Sequence, residues 1–541
     1  MGVTAGTFVR KATGLVRAWS SFDAFVYAFF SVNLVTLGMY IMSFAPFFPK
    51  AHLLPAAVIT GILVTFLVVV YAALIATMPR AGGDYVWQSR ILGGGIAFVL
   101  AVTGWWFILW HWVPIYGNVL AIQFFGPILA TLGRAGSAAW WGGAHGIFAS
   151  SVIVMVAATT YIALGMERYA KIQKWSFWGG LVGLAIVLLL LLVNGQPQFQ
   201  AAFNREAAAL FGASGDAYAQ TLEASRTYGY VPPAFGSMAI GPSILLIPML
   251  VFYLLWPNWG ATLYGEVRGA GDYRRVFSGM FWGLWVTVGL SVLFFVLVAK
   301  TIGWEFYLAA NSNYWATIYD AKNAPALSMP LWPYPALLAG WLVNSSVVQL
   351  IILLLMSLWF WGWAGTVFLS STRVIFAAAF DRVLPEWAAS VSPRSHAPTG
   401  ALVLMIVPSI VVSYLYAYRP DFRNLTLDAT LVIAITYLGS VVAATILPWR
   451  RPGLYQGSPV ARLKVAGLPL VSVAGVITIA FLGFNLWRWV RDAAYGVNNP
   501  QSAKYMIVLY GLALVIYVVA RVVRSRQGIN LAQVHSEIPV E

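Results

Sequence analysis

The stretch YLLWPNWGATLYGEVRG, residues 253–269, interrupts an apolar segment that begins near residue 240. Pro257 has no N–H to donate inside a helix, and Gly260 follows within one turn, so a membrane helix is expected to break here. Broken backbone at membrane depth is tolerated only where it is buried in protein or lines a cavity. The stretch therefore predicts a polar site inside a membrane protein.

The composition supports this prediction. The 541 residues are 60% hydrophobic and only 9% charged, and the mean hydropathy is +0.79, whereas soluble domains contain about 25% charged residues. We predict an all-α polytopic membrane protein with twelve transmembrane helices. The apolar segments long enough to cross a bilayer, numbered as spans one to twelve, are 24–46, 53–78, 96–129, 146–166, 175–193, 240–265, 276–299, 336–371, 400–418, 430–448, 467–487 and 505–520.

The basic residues indicate the orientation of the chain. Of the 32 Lys and Arg residues, 21 fall on the side that would hold both termini, and this excess marks the cytoplasmic side. Arg10, Lys11 and Arg17 precede an apolar run that is too long for a cleavable signal, so the first span is expected to remain in the protein. We predict a plasma-membrane protein with both termini in the cytoplasm.

The first span also contains an interruption. Its sequence FFSVNLVTLGMYIM, residues 29–42, places Ser31, Asn33, Thr36 and Gly38 at mid-depth, where a continuous helix is less favoured. Interrupted spans at corresponding places, here five spans apart, are typical of inverted five-span repeats with a binding site between them. The first and sixth spans are therefore predicted to form that site.

This pattern gives a predicted organisation of the chain. Two five-span repeats are separated by an extracellular loop and followed by two further spans. The predicted parts are a cytoplasmic N-terminus at 1–23, a first repeat at 24–193, an extracellular loop at 194–239, a second repeat at 240–448, spans eleven and twelve at 449–520 and a cytoplasmic tail at 521–541.

The distribution of charge predicts a neutral cavity. All 17 acidic and all 32 basic residues can be placed outside the twelve spans, which leaves His111 as the one histidine deep within a span. His111 is either a proton carrier or substrate-binding group, or a neutral side chain bonded to a neighbouring helix. Aromatic residues surround His111 on the third span, and such residues are more often packing groups than walls of a binding site. They are Trp105, Trp106, Trp110, Trp112 and Tyr116.

Several kinds of chemistry lack the residues that they need. The chain has no cysteine, no Gly-rich Lys motif for ATP, no HExxH motif and no pair of acidic residues within the spans. We therefore expect no enzyme activity, no cofactor and no metal site. The net charge of +15 is explained by orientation in the membrane and predicts no nucleic-acid partner.

Four stretches, in order along the chain, resemble the amino acid-polyamine-organocation (APC) superfamily of secondary transporters. They are MPRAGGDYVWQSRILGGGIAF at 78–98, GMERYAKIQKW at 165–175, YGEVRGAGDYRRVF at 264–277 and SSTRVIFAAAFDRVLPEWAASVSPRSHAPTGALV at 370–403. The resemblance implies two inverted five-span repeats plus two C-terminal helices, and alternating access around a central site. It also implies that backbone groups freed by the broken first and sixth spans hold the carboxylate and amino groups of the substrate.

The resemblance places Ser31 to Gly38 at the first-span break and Trp256 to Gly260 at the sixth-span break. With Trp363 of the eighth span added, the predicted substrate-binding residues are Ser31, Asn33, Gly38, Trp256, Asn258, Trp259, Gly260 and Trp363. The chain departs from the family at the first-span break, where a Gly-Ser-Gly-type motif is missing and the bulky Val32 and Leu34 are present.

The coupling ion stays open. Many bacterial members of the superfamily carry a lysine in the fifth span, but here that position is Gly179 or Gly180. A proton route through His111 and uncoupled exchange are both compatible with the sequence. A sodium site would need hydroxyl groups on the eighth span, where Ser357 and Thr366 are available.

The sequence thus predicts a secondary active transporter for amino acids or related small neutral or zwitterionic solutes. Two alternatives remain: a non-transporting membrane subunit or sensor that keeps the fold, and a carrier of nucleobase-like heterocycles that would stack on the tryptophans. Its expected partners are a small-molecule substrate, the lipid bilayer and a coupling proton or sodium ion. The sequence does not predict the identity of the substrate or the oligomeric state.

Overall fold

Within the part of the chain that the structure describes, twelve helices are long and apolar enough to cross a membrane, which confirms the predicted all-α class. A computed structural model describes residues 15–48, 50–237, 239–423, 425 and 428–538. The remaining parts of the predicted N-terminus and tail lie outside the described residues. The spans are Ser21–Met42, Leu53–Thr77, Gly94–Thr131, Ala144–Ala163, Met166–Val193, Ile240–Glu266, Tyr273–Tyr319, Ser346–Phe380, Thr399–Tyr418, Asp428–Arg450, Leu470–Arg491 and Pro500–Arg526.

The first and sixth spans are both interrupted, as the sequence predicts. The first consists of the α-helix Ser21–Ser31, the π-helical turn Leu34–Gly38 and the short helix Met39–Met42. The sixth consists of short turns at Ile240–Ser243 and Ile244–Leu246, the α-helix Ile247–Leu254 and, after the break, the 3₁₀-helix Trp259–Glu266.

Three other spans are built from shorter pieces. The third is Gly94–Val102, Thr103–Phe107, Leu109–Leu120, Ala121–Phe125 and Gly126–Thr131, with π-helical second and fourth pieces. The seventh is Tyr273–Val298, Ala299–Gly303 and Trp304–Tyr319. The eighth is Ser346–Ala364 and Thr366–Phe380.

The bounds predicted for the eighth span, 336–371, are wrong at both ends. Pro335–Gly340 forms a separate short helix, and the span begins only at Ser346. Hydropathy alone does not reveal this turn, because both pieces are apolar. The span then continues to Phe380, so Arg373 lies within the helix.

Short helices and one small sheet connect the spans. The α-helices are Asp84–Ile91, Ala135–Gly142, Gln196–Phe211, Ala217–Thr227, Pro420–Arg423, Pro452–Gln456 and Leu531–Val534, and the 3₁₀-helices are Ala45–Phe47, Glu386–Ala389 and Ala493–Tyr495. The strands Lys464–Val465 and Leu468–Pro469 pair antiparallel.

The broken spans lie at the centre of the helix packing. The most apolar part of the first span is 89% buried, whereas that of the twelfth span is 11% buried and is left to face lipid. The second span packs on the seventh, and the fifth packs on the eighth. The core of the molecule therefore surrounds the two interrupted helices.

Candidate substrate site

The sixth-span break is made by Pro257 and the turns around it. The α-helix ends at Leu254, and the N–H of Trp259 donates to the carbonyl oxygen of Trp256 at 3.0 Å. The next hydrogen bond joins the N–H of Ala261 to the oxygen of Asn258 at 2.8 Å. The chain thus changes from α-helix to 3₁₀-helix inside the bundle, and the regular α-helical hydrogen bonds end with the one from the N–H of Leu255 to the oxygen of Val251.

Asn258 is the most unusual polar residue at this break. Its side chain is fully buried and lies beside the hydroxyl of Tyr437 in the tenth span. Within the described part of the chain, neither Oδ1 nor Nδ2 of Asn258 makes a hydrogen bond of normal geometry. A buried amide without partners costs free energy, so Asn258 is a site where a polar ligand would be stabilised.

Aromatic rings from four spans surround the break. We call them the tryptophan cluster: Trp105, Trp112, Tyr116, Trp256, Trp259, Trp363 and Tyr437. The ring centroids of Trp256 and Trp259 are 5.3 Å apart, and those of Trp112 and Trp256 are 5.6 Å apart. Every ring of the cluster is at most 4% exposed, so the structure is closed to solvent at this point.

Part of this cluster was not expected from the sequence. The rings of Tyr116 and Trp363 stack, and Trp105 contacts Trp259 at 4.7 Å between ring centroids. The sequence favoured packing roles for the aromatic residues of the third span, but Trp105, Trp112 and Tyr116 lie against predicted site residues. Their spacing along the third span could have indicated a shared face.

Hydrogen bonds join the sixth-span break to the eighth and first spans. Trp259 donates from Nε1 to the carbonyl oxygen of Thr366 at 3.1 Å, and Ser370 donates to the oxygen of Trp259 at 3.0 Å. The hydroxyls of Tyr27 and Ser370 are 2.9 Å apart. Gly260 allows the ring of Tyr27 to approach, since a Cβ there would lie 3.1 Å from it.

The first-span break is stabilised by the side chain of Asn33. Its Oδ1 accepts the N–H of Thr36 at 3.0 Å, and its Nδ2 donates to the carbonyl oxygen of Trp359 at 3.1 Å. Ser31 donates to the carbonyl oxygen of Tyr27 at 2.8 Å. The side chains of Ser31 and Asn33 therefore bond within the protein, and only their backbone is left for a ligand.

Gly38 brings the first and sixth spans together. A Cβ at Gly38 would lie 3.2 Å from the ring of Tyr253, so a larger residue would push these spans apart. Nearby, Gln123 donates to the carbonyl oxygen of Thr36 at 2.7 Å. Among the described residues, the Oε1 of Gln123 and the Oγ1 of Thr36 are buried without hydrogen bonds, and the sequence did not single out Gln123.

His111 lies on a different face of the third span. Its Nε2 is 2.5 Å from the hydroxyl of Tyr505 in the twelfth span, and its ring stacks on Phe422. The adjacent Trp112 instead faces Trp256. The structure thus brings together the predicted residues of the first, sixth and eighth spans but places His111 in another polar contact.

Asp84 lies outside the twelve spans, as the sequence predicts, but its burial in the protein interior was not predicted. This residue is fully buried and accepts hydrogen bonds from Tyr71 at 2.5 Å, Ser440 at 2.6 Å and Trp105 at 3.0 Å. Burial raises the pKa of the Asp84 carboxyl to about 6, although the hydrogen bonds oppose the shift. Through Trp105, Asp84 is joined to the tryptophan cluster.

Two glycines explain how Asp84 reaches the interior. Gly82 has a φ of 95°, and a Cβ there would lie 2.4 Å from that of Ala377; a Cβ at Gly83 would lie 2.9 Å from the backbone of Ala261. Residues 78–93, which we call the 2–3 segment, can therefore pack between the sixth and eighth spans. The Gly-Gly pair before Asp84 was the available sequence signal.

Two buried ion pairs close the side of the molecule that carries the 2–3 segment. Arg373 donates to both oxygens of Glu266 at 2.7 and 3.0 Å, and Arg90 donates to both oxygens of Asp381 at 2.5 and 3.0 Å. The Glu266 and Arg373 side chains are each 1% exposed. We call these two pairs the inner seal, since they join the sixth span and the 2–3 segment to the eighth span.

The positions considered for coupling cations are occupied by protein contacts. Trp359 donates from Nε1 to the carbonyl oxygen of Gly180 at 2.8 Å, and a Cβ at Gly180 would lie 2.9 Å from its ring. The hydroxyl of Ser357 donates to Leu354, and that of Thr366 bonds Tyr116. Among the described residues, no group of three His, Asp or Glu side chains could hold a metal ion.

One comparison with known proteins gave a match that includes all these features. A family model described as amino acid permease matches residues 20–520. This range includes both helix breaks, the tryptophan cluster, the 2–3 segment and the inner seal. A search against curated proteins gave no match.

Proposed function

The chain belongs to the amino acid permease family, and we propose that it is a secondary active transporter of amino acids or related small neutral or zwitterionic solutes. Family membership indicates a transporter rather than an enzyme and a small-molecule substrate. The observation that supports the location of the site best is Asn258, a fully buried amide at the break in the sixth span.

In this proposal, the substrate binds between the two helix breaks. Half-helix N-termini attract anionic groups and half-helix C-termini attract cationic groups, so a zwitterion is held largely by backbone. The carboxamide of Asn258 supplies a further donor and acceptor. The proposed contacts are the backbone of Ser31, Asn33 and Gly38, the sixth-span residues Trp256, Asn258, Trp259 and Gly260, and the ring of Trp363.

Transport requires the closed arrangement to open on alternate sides. Opening toward the inner seal would separate Trp259 from Thr366 and Glu266 from Arg373, because these bonds join the sixth span to the eighth. The substrate replaces part of this network when it binds at the break. Its binding energy can therefore shift the balance between open and closed states.

The organisation predicted from the sequence is part of the same proposal. Residues 24–193 and 240–448 form the two inverted repeats, and the segment 194–239 lies outside the cell. The inner seal then faces the cytoplasm of a cell whose plasma membrane holds the protein. The excess of basic residues on this side supports the orientation.

A panel of solutes tests the proposed substrate class. The purified protein is heated with amino acids, amines and nucleobases, and the melting temperature Tm is measured for each. A ligand of the folded state at 100 times its Kd stabilises the protein by about 2.7 kcal/mol. Stabilisation by amino acids supports the proposal, stabilisation by nucleobases alone supports a heterocycle carrier, and no stabilisation supports a non-transporting subunit.

The hypothesis of a proton route through His111 has its own test. His111→Gln keeps a polar side chain beside Tyr505 but removes the imidazole ring that would carry a proton. If His111 carries the coupling proton, the variant loses its response to a pH gradient and keeps exchange of internal for external solute. An unchanged gradient response contradicts the hypothesis.

A further inference from the structure

Asp84 is a buried titratable group that substrate binding at the two helix breaks does not use. We propose that Asp84 binds the proton that couples transport to a pH gradient, an inference that rests on the proposed transport function. The proton comes from water on the side to which the site opens. It adds to a carboxylate oxygen of Asp84, and it returns to water when that O–H bond breaks.

The first argument is the position of Asp84 between spans. Tyr71 donates to it from the second span, Trp105 from the third and Ser440 from the tenth. The hydroxyl of Ser440 itself accepts from Nε2 of Gln88 in the 2–3 segment at 2.9 Å. One carboxylate therefore holds three spans and their connecting segment together.

The second argument is the link between Asp84 and the sixth-span break. The ring of Trp105, which donates to Asp84, lies 4.7 Å from the ring of Trp259. Gly82 donates from its N–H to the carbonyl oxygen of Thr262 at 2.8 Å. Movement of the helix Trp259–Glu266 away from the 2–3 segment would therefore break this bond and admit water toward Asp84.

The third argument is the hydrogen-bond chemistry of the carboxylate. Three donors stabilise the charged form of Asp84 and leave a protonated form without an arranged acceptor. After protonation, the new O–H needs an acceptor, so the hydroxyl of Tyr71 or Ser440 must rotate. Protonation thus weakens one of the bonds that hold the closed arrangement.

Burial brings the protonation of Asp84 into the pH range in which a pH gradient across a membrane can act on it. The pKa of Asp84 is raised to about 6 because its carboxyl is removed from water. A group with such a pKa is protonated on an acidic side of a membrane and ionised on a neutral side. The same residue at an exposed position would stay ionised on both sides.

The neighbouring titratable groups are arranged differently. Tyr71 of the second span and Tyr437 of the tenth carry phenol groups, whose ordinary pKa is about 10. Glu266 of the sixth span and Arg373 of the eighth neutralise each other. On the helix of Asp84 itself, the charged Arg90 is paired with Asp381.

Two further neighbours complete the set. Tyr85, on the same helix as Asp84, contacts Nε2 of His535 at 3.1 Å. His535 lies 3.9 Å from Asp381, a residue of the inner seal, and not beside the Asp84 carboxylate. The third span contributes Trp105, which does not titrate.

Infrared difference spectra of the full-length protein in lipid test proton binding without a substrate. Between pH 5 and pH 7.5, the wild type is expected to lose a carbonyl band of a protonated carboxylic acid. Asp428 is a second fully buried aspartate, so the spectra are compared in the Asp428→Asn background. The Asp428→Asn variant should still show the band, and the double variant Asp84→Asn/Asp428→Asn should lack it. Persistence of the band in the double variant overturns the proposal.

A second variant keeps the test decisive if Asp84→Asn fails to fold. Tyr71→Phe removes one donor from the carboxylate, so the midpoint of the same titration should move to higher pH. Removing the hydroxyl of Tyr437, which makes no hydrogen bond to Asp84 among the described contacts, should move it less. An unchanged midpoint in Tyr71→Phe also overturns the proposal.

Uptake into proteoliposomes tests coupling. The solute is a radiolabelled mixture of the twenty standard amino acids, supplied with and without an acidic exterior. Asp84→Asn should still exchange internal for external amino acids, but the pH gradient should no longer stimulate its uptake several-fold. His535→Gln should keep the stimulation of uptake by the gradient. The proposal is overturned if Asp84→Asn keeps the stimulation by the gradient, or if only His111→Gln loses it. If the wild type takes up no amino acid, the proposed function is contradicted instead. The infrared spectra then decide separately whether Asp84 binds a proton.

Discussion

Two buried asparagines at the helix breaks have opposite surroundings. Asn33 uses both ends of its amide within the protein, whereas neither amide atom of Asn258 makes a hydrogen bond of normal geometry among the described residues, although the amide lies beside the hydroxyl of Tyr437. A residue whose bonds are satisfied supports the fold. A residue whose polar atoms are buried without well-aligned partners lowers stability, and under the proposed function the substrate would supply those partners to Asn258.

Their leucine variants should therefore differ in stability. Asn33→Leu removes the hydrogen bonds that Asn33 makes to the N–H of Thr36 and to the carbonyl oxygen of Trp359, so we expect a loss of about 2 kcal/mol and a lower Tm. Asn258→Leu removes an amide that makes no such bonds and should leave Tm nearly unchanged. Thermal unfolding of both variants in the same detergent provides the measurement, and an equal loss in both would contradict this interpretation of the two residues.

Asp84 should give the molecule a measurable pH dependence. The pKa of its carboxyl is about 6 in the folded protein, compared with an ordinary aspartate value of 3.8, so the folded state binds more protons than the unfolded state between these values. The contribution of Asp84 to the free energy of unfolding is therefore largest below about pH 4. It decreases as the pH rises toward 6 and remains smaller at higher pH.

The comparison with Asp84→Asn isolates this effect. Asparagine does not titrate, so Tm of the wild type should fall relative to Tm of the variant as the pH is raised from 4 to 7. Thermal unfolding at intervals of half a pH unit measures the difference. Parallel pH profiles for the two proteins would show that Asp84 does not titrate in this range.

The sequence predicted the residues of the sixth-span break better than it predicted the position of Asp84. Pro257 and the tryptophans around it mark a break that depends only on local chain properties. Asp84 was assigned to an inner loop between the second and third spans, because hydropathy defines spans by apolar length and the 2–3 segment is too polar to be a span. Its burial depends on Gly82 and Gly83 packing against distant spans, which composition does not show.

Among the helices, the inner seal fixes the sixth span to the eighth. The two nitrogens of Arg373 bind the two oxygens of Glu266, and both side chains are buried. Removing one partner of a buried ion pair leaves an uncompensated charge, which typically costs about 3 to 5 kcal/mol. Replacing both partners removes that penalty.

A double-mutant cycle tests this contribution. We expect Arg373→Met to lower the free energy of unfolding by about 3 kcal/mol or more, and Glu266→Gln added to it to recover much of the loss. Lys171→Met is the matched control, because Lys171 and its partner Glu167 are 65% and 76% exposed and such pairs contribute about 1 kcal/mol or less. Equal effects of Arg373→Met and Lys171→Met would contradict the importance of the seal.

The elements themselves followed largely from hydropathy. The number of spans and the two interruptions were predicted, because each depends on a stretch of about twenty residues. The start of the eighth span was misplaced, since Pro335–Gly340 is apolar but forms a separate helix ahead of Ser346. The π-helical pieces of the third span were not predicted, because no proline or polar cluster marks Thr103–Phe107 or Ala121–Phe125.

The molecule as a whole is a closed transporter whose centre is filled by its own aromatic rings. The break in the sixth span, the tryptophan cluster and Asp84 are connected by direct contacts. The family and the fold could be predicted because several motifs recur in order along the chain. The connection between the third, sixth and tenth spans could not be predicted from the sequence, because it arises from packing between residues that are far apart along the chain.

Counterflow exchange in proteoliposomes tests most sharply whether solute crosses the membrane by binding at the sixth-span break. Vesicles loaded with the twenty unlabelled amino acids are diluted into a trace of the same mixture carrying radiolabel, with equal pH on both sides. The wild type should accumulate label transiently, and Asn258→Leu, although folded, should accumulate at most about a tenth as much. Accumulation by the variant equal to that of the wild type, or none by the wild type, would contradict this mechanism.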